Sequence, residues 1–144
     1  MDPTLTLPPL NVPALLRAHQ LTPKKGLGQN FLIDPAALQR VVRAAEIGPQ
    51  DAVLEVGPGL GSLTRYLAQA ARRVAAVELD ERLLPVLQQV LSSFENVQLL
   101  HGDMLAVDPA SLMDADGYLV VANIPYYISS ALIRHLLEAR LRPN

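Results

Sequence analysis

The four residues Asn123-Ile124-Pro125-Tyr126 combine groups that could act on the amino group of a nucleobase. Such an amino nitrogen is a poor nucleophile because its lone pair is delocalised into the ring. Two acceptors, the Asn123 side-chain oxygen and the Ile124 carbonyl oxygen, could hold its hydrogens and aim the lone pair at an electrophile. Pro125 would fix the turn, and the Tyr126 ring would stack on a base swung out of its helix or loop. The pattern predicts group transfer to this nitrogen through positioning; the alternative is an ordinary turn with a half-buried tyrosine.

A glycine-rich run ends the first predicted strand. Gly57, Gly59 and Gly61 have no side chains that would keep a ligand from the backbone. In the dinucleotide-binding fingerprint the third glycine stands five residues after the first, but here Ser62 occupies that place and the third glycine comes one residue earlier. The spacing argues against NAD and favours a nucleoside cofactor without a pyrophosphate, such as S-adenosylmethionine. A simple tight turn is the alternative.

Acidic residues follow the next two predicted strands. Glu78 ends the second strand, where its carboxylate can accept hydrogen bonds from both hydroxyls of a cofactor ribose. Asp103 follows the third strand and can accept from the adenine amino group of the cofactor, while Met104 packs on the adenine ring. Because these strand ends meet at one sheet edge, we interpret them as one cofactor site. Taken singly, each would be an exposed strand-end group.

The elements that position these residues alternate between short apolar runs and helical patterns. Asp34 and Pro35 predict the beginning of a helix that runs to Gly48, and Pro85 is expected in the first turn of a later helix. Ser129 or Ser130 is predicted to cap the last helix. The predicted strands cover residues 52–56, 74–77, 97–100 and 118–122. This alternation predicts an α/β fold with a parallel sheet.

Composition limits the class of protein. The chain has 144 residues and a hydrophobic content of 50%, enough for one globular domain. It contains no cysteine, and His19, His101 and His135 have no ligand-like spacing, so we expect no metal site. No apolar run is long enough to span a bilayer, and no signal peptide is evident. We expect a soluble, cytoplasmic protein with no membrane partner.

Charge and proline content divide the N-terminal region. A net charge of −2 excludes coating of nucleic acid by bulk charge, but residues 17–43 carry five basic side chains against Asp34 alone. We interpret four of them as a tentative RNA-binding surface, with a solvated face as the alternative: Lys24, Lys25, Arg40 and Arg43. The prolines of residues 1–23 predict a loosely held extension with one short turn at residues 14–19, ahead of a domain over residues 24–144.

Residues 24–137 resemble the ribosomal RNA adenine dimethyltransferase family. Four motifs in the same order carry the resemblance: Lys25–Leu32, Glu55–Thr64, Val77–Arg82 and Asn123–Ser129. The run Leu-Gly-Gln-Asn-Phe-Leu is most similar to the small-subunit branch, whereas a related branch modifies large-subunit rRNA. Two further hypotheses stay open: a non-catalytic ribosome-assembly factor that keeps the fold, and a methyltransferase that acts on a protein amide.

The resemblance implies a Rossmann-like class I methyltransferase fold that uses S-adenosylmethionine. Asn30, Leu32, Gly57, Glu78 and Asp103 would contact the cofactor. The implied reaction is dimethylation of two adjacent adenosines in a small-subunit rRNA hairpin, as part of small-subunit maturation.

The resemblance also implies that Asn123 is a catalytic residue, placed between the methyl group and the incoming adenine. The family's sheet has seven strands, so the resemblance further implies an incomplete fold that holds only the first four. We therefore expect self-association through an exposed sheet edge and an apolar patch on the last helix, formed by Leu132, Ile133, Leu136 and Leu137.

Overall fold

The computed structural model describes residues 7–21, 34–122, 126–139 and 143, and the side chains of residues 126–130 lie outside this description. Within these residues the chain forms five α-helices and four β-strands, and single turns of 3-10 helix at Glu81–Leu83 and Pro109–Ser111 precede α4 and β4. In chain order the elements are α1 (Val12–Ala18), α2 (Pro35–Ala44), β1 (Ala52–Val56), α3 (Ser62–Ala70), β2 (Arg73–Glu78), α4 (Leu84–Val90), β3 (Val97–His101), β4 (Leu119–Ala122) and α5 (Tyr126–Leu137).

The four strands form one parallel sheet in the order β3-β2-β1-β4. The predicted bounds of β1 are confirmed, and those of the other three strands differ by a single residue at one end or both. Parallel pairing brings the carboxyl ends of all four strands to one edge. The sheet therefore places the segments that follow each strand next to one another.

Apolar side chains cover both faces of the sheet, which is why the central strands are continuous apolar runs. Val53 and Val74 point to the face that α2 and α3 cover, where they share a cluster with Leu38 and Leu67. The alternate residues of β1 and β2 point to the opposite face and pack with Leu112, Leu132 and Leu136. Two layers of helix and turn thus enclose the strands that carry the candidate site.

The predicted helix beginnings hold at two prolines. The Asp34 carboxylate accepts the N–H of Ala36 at 3.1 Å, and Pro35 is the first residue of α2. Pro85 lies in the first turn of α4, where a backbone N–H would have no acceptor within the helix, so the missing N–H of proline costs no hydrogen bond. Proline interrupts a helix when it lies in the interior, but at Pro35 and Pro85 it lies in the first turn and is compatible with the helix.

The predicted beginning of the last helix is wrong. Helix α5 begins at Tyr126, so Ser129 and Ser130 lie within it and neither is its cap. The serines misled the prediction because their preference for helix caps is strong but does not exclude helix interiors. Pro125 precedes Tyr126 in the sequence, and proline is itself favoured at helix beginnings.

The predicted apolar patch on α5 is only half present. Leu132 and Leu136 are 4% exposed and pack under the sheet, so the prediction is wrong for them. Ile133 and Leu137 are 57% and 55% exposed, as expected. Residues four apart share one face of a helix, and the first pair faces the sheet whereas the second pair faces away.

Residues 7–21 are not the loosely held extension that the prolines predicted. Asn11 caps α1 by accepting the N–H of Ala14 at 3.1 Å, and the backbone N–H of Leu7 donates to the Tyr66 hydroxyl at 3.0 Å. Apolar side chains of the segment pack against a cluster formed by Leu60, α4 and the residues on either side of α4. These side chains are Leu10, Val12, Leu15, Leu16 and Leu21. Apolar burial outweighs the local effect of the prolines here. The domain division at residue 24 stays a prediction.

Candidate cofactor and target site

The glycine loop, residues 57–61, joins β1 to α3 and has a backbone that favours glycine. Gly57, Gly59 and Gly61 have φ angles of 79°, 61° and 88°, in the left-handed region. A Cβ atom at Gly61 would also meet Val90 Cγ1 at 3.2 Å and Leu87 Cδ2 at 3.3 Å. The positive φ and the close packing against α4 therefore both favour glycine at position 61, independently of any ligand.

Glu78 stands at the end of β2 and holds the tip of the glycine loop. Its Oε1 accepts the backbone N–H of Gly59 at 3.0 Å, and its Oε2 accepts that of Asp80 at 2.9 Å. Burial raises the pKa of Glu78, and these N–H donors oppose that rise. The two oxygens of a carboxylate offer about four acceptor positions, so the group can also accept from a ligand.

Glu55 is a buried acid to which the sequence analysis gave no role. It lies in β1 with 2% exposure, and the Thr64 hydroxyl on α3 donates to its Oε1. Burial raises the pKa of Glu55 to about 7, the Thr64 bond opposes the rise, and the nearby charge of Glu78 adds to it. The signal was available in the sequence, because an acid inside an apolar strand run is rare unless it is paired.

The ends of β2 and β3 carry further groups at this edge. Asp103 is exposed, and its Oδ1 accepts the N–H of Leu105 at 3.0 Å. Met104 is only 4% exposed and packs in the core under the sheet, a placement that does not favour its predicted contact with an adenine ring. Leu79, which the sequence analysis missed, is 51% exposed directly after Glu78. An exposed leucine beside a buried carboxylate offers an apolar surface at the same edge.

The register of the sheet relates the target loop to the glycine loop. Val56, the last residue of β1, pairs with Val77 on β2 and with Ala122 on β4. The chain therefore leaves β4 beside the place where it enters the glycine loop. Asn123, Ile124 and Pro125 come directly after Ala122 in the sequence and lie outside the described residues, as does the side chain of Tyr126.

The remaining predicted residues lie apart from this edge or outside the description. Asn30, Leu32, Lys24 and Lys25 fall outside the described residues. Arg40 and Arg43 are exposed on α2, on the side away from Leu38 and Val42, which face the core.

Two absences concern the described parts of the chain only. Residues 7–21, 34–122, 126–139 and 143 contain no cluster of three or more His, Asp or Glu side chains arranged to hold a metal ion. The helices described here include none with the length and apolar character needed to cross a membrane.

Each of the three histidines has an oxygen within hydrogen-bond distance of its ring. His19 contacts the side-chain oxygen of Gln89, His101 the backbone oxygen of Leu79, and His135 the backbone oxygen of Val107.

The parallel sheet, the glycine loop after β1 and the acid after β2 define a Rossmann-like methyltransferase fold, which solved structures share. One is a 23S rRNA methyltransferase, ErmE, with 39% sequence identity and a TM-score of 0.69, over 78% of this chain and 45% of the other. A second is a dimethyladenosine transferase from Plasmodium falciparum, with 31% identity and a TM-score of 0.67, over 79% and 40% of the two chains.

Sequence comparison gives the family. A family model described as ribosomal RNA adenine dimethylase matches residues 20–143. The ribosomal RNA small subunit methyltransferase A of Shouchella clausii (strain KSM-K16) is 44% identical over 138 residues, which are 92% of this chain and 47% of the relative. The chain belongs to the ribosomal RNA adenine dimethylase family, whose methyl donor is S-adenosylmethionine. It spans about half the length of the curated relatives that it matches.

Proposed function

We propose that the protein transfers methyl groups from S-adenosylmethionine to the exocyclic amino groups of two adjacent adenosines in small-subunit rRNA. The observation that carries this proposal is the register at the carboxyl edge, where Ala122, Val56 and Val77 are paired. The target loop, the glycine loop and Glu78 follow these three residues in turn. Donor and acceptor sites are therefore expected side by side, as direct methyl transfer requires.

The cofactor half of the proposed site uses groups at the ends of β1, β2 and β3. The free lone pairs of Glu78 would accept from the ribose hydroxyls, and Asp103 would accept from the cofactor's adenine amino group. The exposed face of Leu79 would cover that adenine in place of the buried Met104. These three strand ends lie next to one another in the order β3-β2-β1, which supports a single nucleoside site.

In the target half, the Asn123 oxygen and the Ile124 carbonyl would hold the amino group of the substrate adenine. Pro125 and Tyr126 would fix the turn and stack on the base. The exposed Arg40 and Arg43, together with Lys24 and Lys25, would contact rRNA phosphates. Small ribosomal subunits are the proposed partner and the cytoplasm the proposed compartment, since the curated relative acts on small-subunit rRNA by its name.

The large subunit is the second candidate substrate, because a 23S rRNA methyltransferase shares 39% identity and the fold. Labelled S-adenosylmethionine should be incubated with unmethylated small subunits or large subunits, using the protein expressed from its natural gene. The proposal predicts label in adenosines of small-subunit rRNA. Label in large-subunit rRNA would move the protein to the other branch, label in protein would support an amide methyltransferase, and no label would support a non-catalytic assembly factor.

A further inference from the structure

The glycine loop is held at its base as well as at its tip. Glu55 precedes Gly57 by two residues, and Thr64 follows Gly61 by three, so the hydrogen bond from the Thr64 hydroxyl to Glu55 Oε1 joins the two ends of the loop. Both side chains are buried, with exposures of 2% and 0%. The bond fixes the distance between the end of β1 and the first turn of α3.

A carboxyl group at this place needs an explanation, because an apolar side chain would fit its surroundings at lower cost. The partners of Glu55 in the sheet are Ala76 on β2 and Val121 on β4, both apolar. A buried polar group lowers stability unless it is hydrogen-bonded, and a buried charge lowers it further. Within the described chain the hydrogen bond from Thr64 compensates part of this cost. The bond also joins β1 to the first turn of α3, which a leucine at position 55 could not do.

The charged groups around Glu55 favour its neutral form. Glu78, on the neighbouring strand β2, is the acid whose charge acts on it, and burial acts in the same direction. Helix α3 contributes the Thr64 hydroxyl, whose hydrogen bond opposes this shift in pKa, and β4 contributes no titratable side chain within Leu119–Ala122. The two acids hold different parts of the loop: Glu78 accepts the N–H of Gly59 at the tip, and Glu55 accepts the Thr64 hydroxyl at the base, a bond that needs no charge on Glu55.

We propose that Glu55 and Thr64 form a positioning pair that sets the shape of the glycine loop for cofactor binding without touching the cofactor. The inference deepens the proposed function and rests on it, since S-adenosylmethionine is the ligand concerned. The loop is short and its glycine backbone is permissive, so two fixed ends and a fixed tip remove most of its freedom before the cofactor arrives. Loss of the pair leaves the tip bond at Glu78 but frees the base.

The test compares variants of Thr64 in the protein expressed from its natural gene, with cofactor affinity measured by calorimetry and stability by thermal unfolding. Thr64→Val keeps the shape and removes the hydroxyl, and we expect it to weaken S-adenosylmethionine binding by about 5- to 50-fold. Thr64→Ser keeps the hydroxyl and should bind within about twofold of wild type. Gln69→Met is the matched control, since Gln69 lies on the same helix and its amide oxygen has no hydrogen-bond partner among the described residues.

Affinity is measured at a temperature where every variant is folded, so that a merely structural role is distinguishable. A Thr64→Val protein that is less stable but binds the cofactor as wild type does would overturn the inference and leave the proposed function intact. A wild-type protein that binds no S-adenosylmethionine would overturn both.

A Glu55→Gln variant keeps an acceptor for the Thr64 hydroxyl but cannot be charged. If it binds the cofactor within a few-fold of wild type, a neutral side chain at position 55 is sufficient for the pair. A loss of affinity as large as that of Thr64→Val would contradict the statement that Glu55 needs no charge.

Discussion

The two halves of the candidate site are supported to different degrees. Around the glycine loop, β1 is buried along its whole length, and backbone or side-chain hydrogen bonds tie Gly57 to Val77, Gly59 to Glu78 and Gly102 to Glu78. Around the target loop, β4 is half-buried and has one strand neighbour among the described residues. The proposed cofactor half is thus held by many contacts among the described residues, and the proposed target half by few.

The comparison predicts that substitutions in the target half affect transfer alone. Asn123→Ala should lower the methyl transfer rate by at least about 100-fold, because its oxygen is proposed to orient the adenine amino group in the transition state. Cofactor affinity should stay within a few-fold of wild type. Single-turnover transfer with bound cofactor, together with calorimetry, measures the two effects. Equal losses of affinity and rate would show that the two halves are not separate.

The buried acid in the cofactor half should make stability depend on pH. The folded pKa of Glu55 is about 7, against an ordinary value of 4.5, so between these values the folded protein keeps a proton that the unfolded chain has lost. The free energy of unfolding therefore falls as pH rises through this window, by about 3 kcal/mol in all, and stays lowered above it.

Glu55→Gln removes this titration, which gives the measurement. In urea unfolding at pH 8 the variant should be more stable than wild type by about 3 kcal/mol, and at pH 4.5 the difference should nearly vanish. Glu78 is present in both proteins, so the comparison isolates Glu55 together with its interaction with Glu78. A stability difference that does not change with pH would mean that folding does not raise the pKa of Glu55.

Glu78→Ala should weaken S-adenosylmethionine binding by about 1.5 to 3 kcal/mol, because the variant loses hydrogen bonds to a charged acceptor. Glu78→Gln is the matched control, since it keeps an acceptor for Gly59 but not the charge, and its loss should be smaller. Calorimetry at a temperature where both variants are folded separates binding from stability. An unchanged affinity in Glu78→Ala would remove this residue from the cofactor site.

The smallest expected effect concerns the outer surface of the target half. The exposed Ile133 and Leu137 lie one turn apart on α5, and we expect them to promote weak self-association of the 144-residue chain. Ile133→Lys/Leu137→Lys should shift the chain towards the monomer in light scattering, with Glu138→Lys, in the turn directly after the helix, as a control. If the double variant and the control behave alike, the sheet edge or another surface is responsible.

Features set by local sequence patterns could be predicted from the sequence, whereas features set by tertiary packing could not. The bounds of β1, the cap at Asp34 and the position of Pro85 follow from local patterns, and these were predicted. The packing of α1 and the burial of Leu132 and Leu136 depend on which surface is available nearby, which local patterns do not specify. The bond between Thr64 and Glu55 joins groups nine residues apart across a turn, and only the geometry of the loop reveals it.

A crystal structure with S-adenosylhomocysteine bound would test the central claim most directly, because that molecule has the ribose and adenine of the cofactor. We expect both ribose hydroxyls within hydrogen-bond distance of the Glu78 carboxylate, the adenine beside Leu79 with its amino group at Asp103, and an unbroken bond between Thr64 and Glu55. A ligand bound away from the ends of β1, β2 and β3, or a ribose that does not contact Glu78, would contradict it.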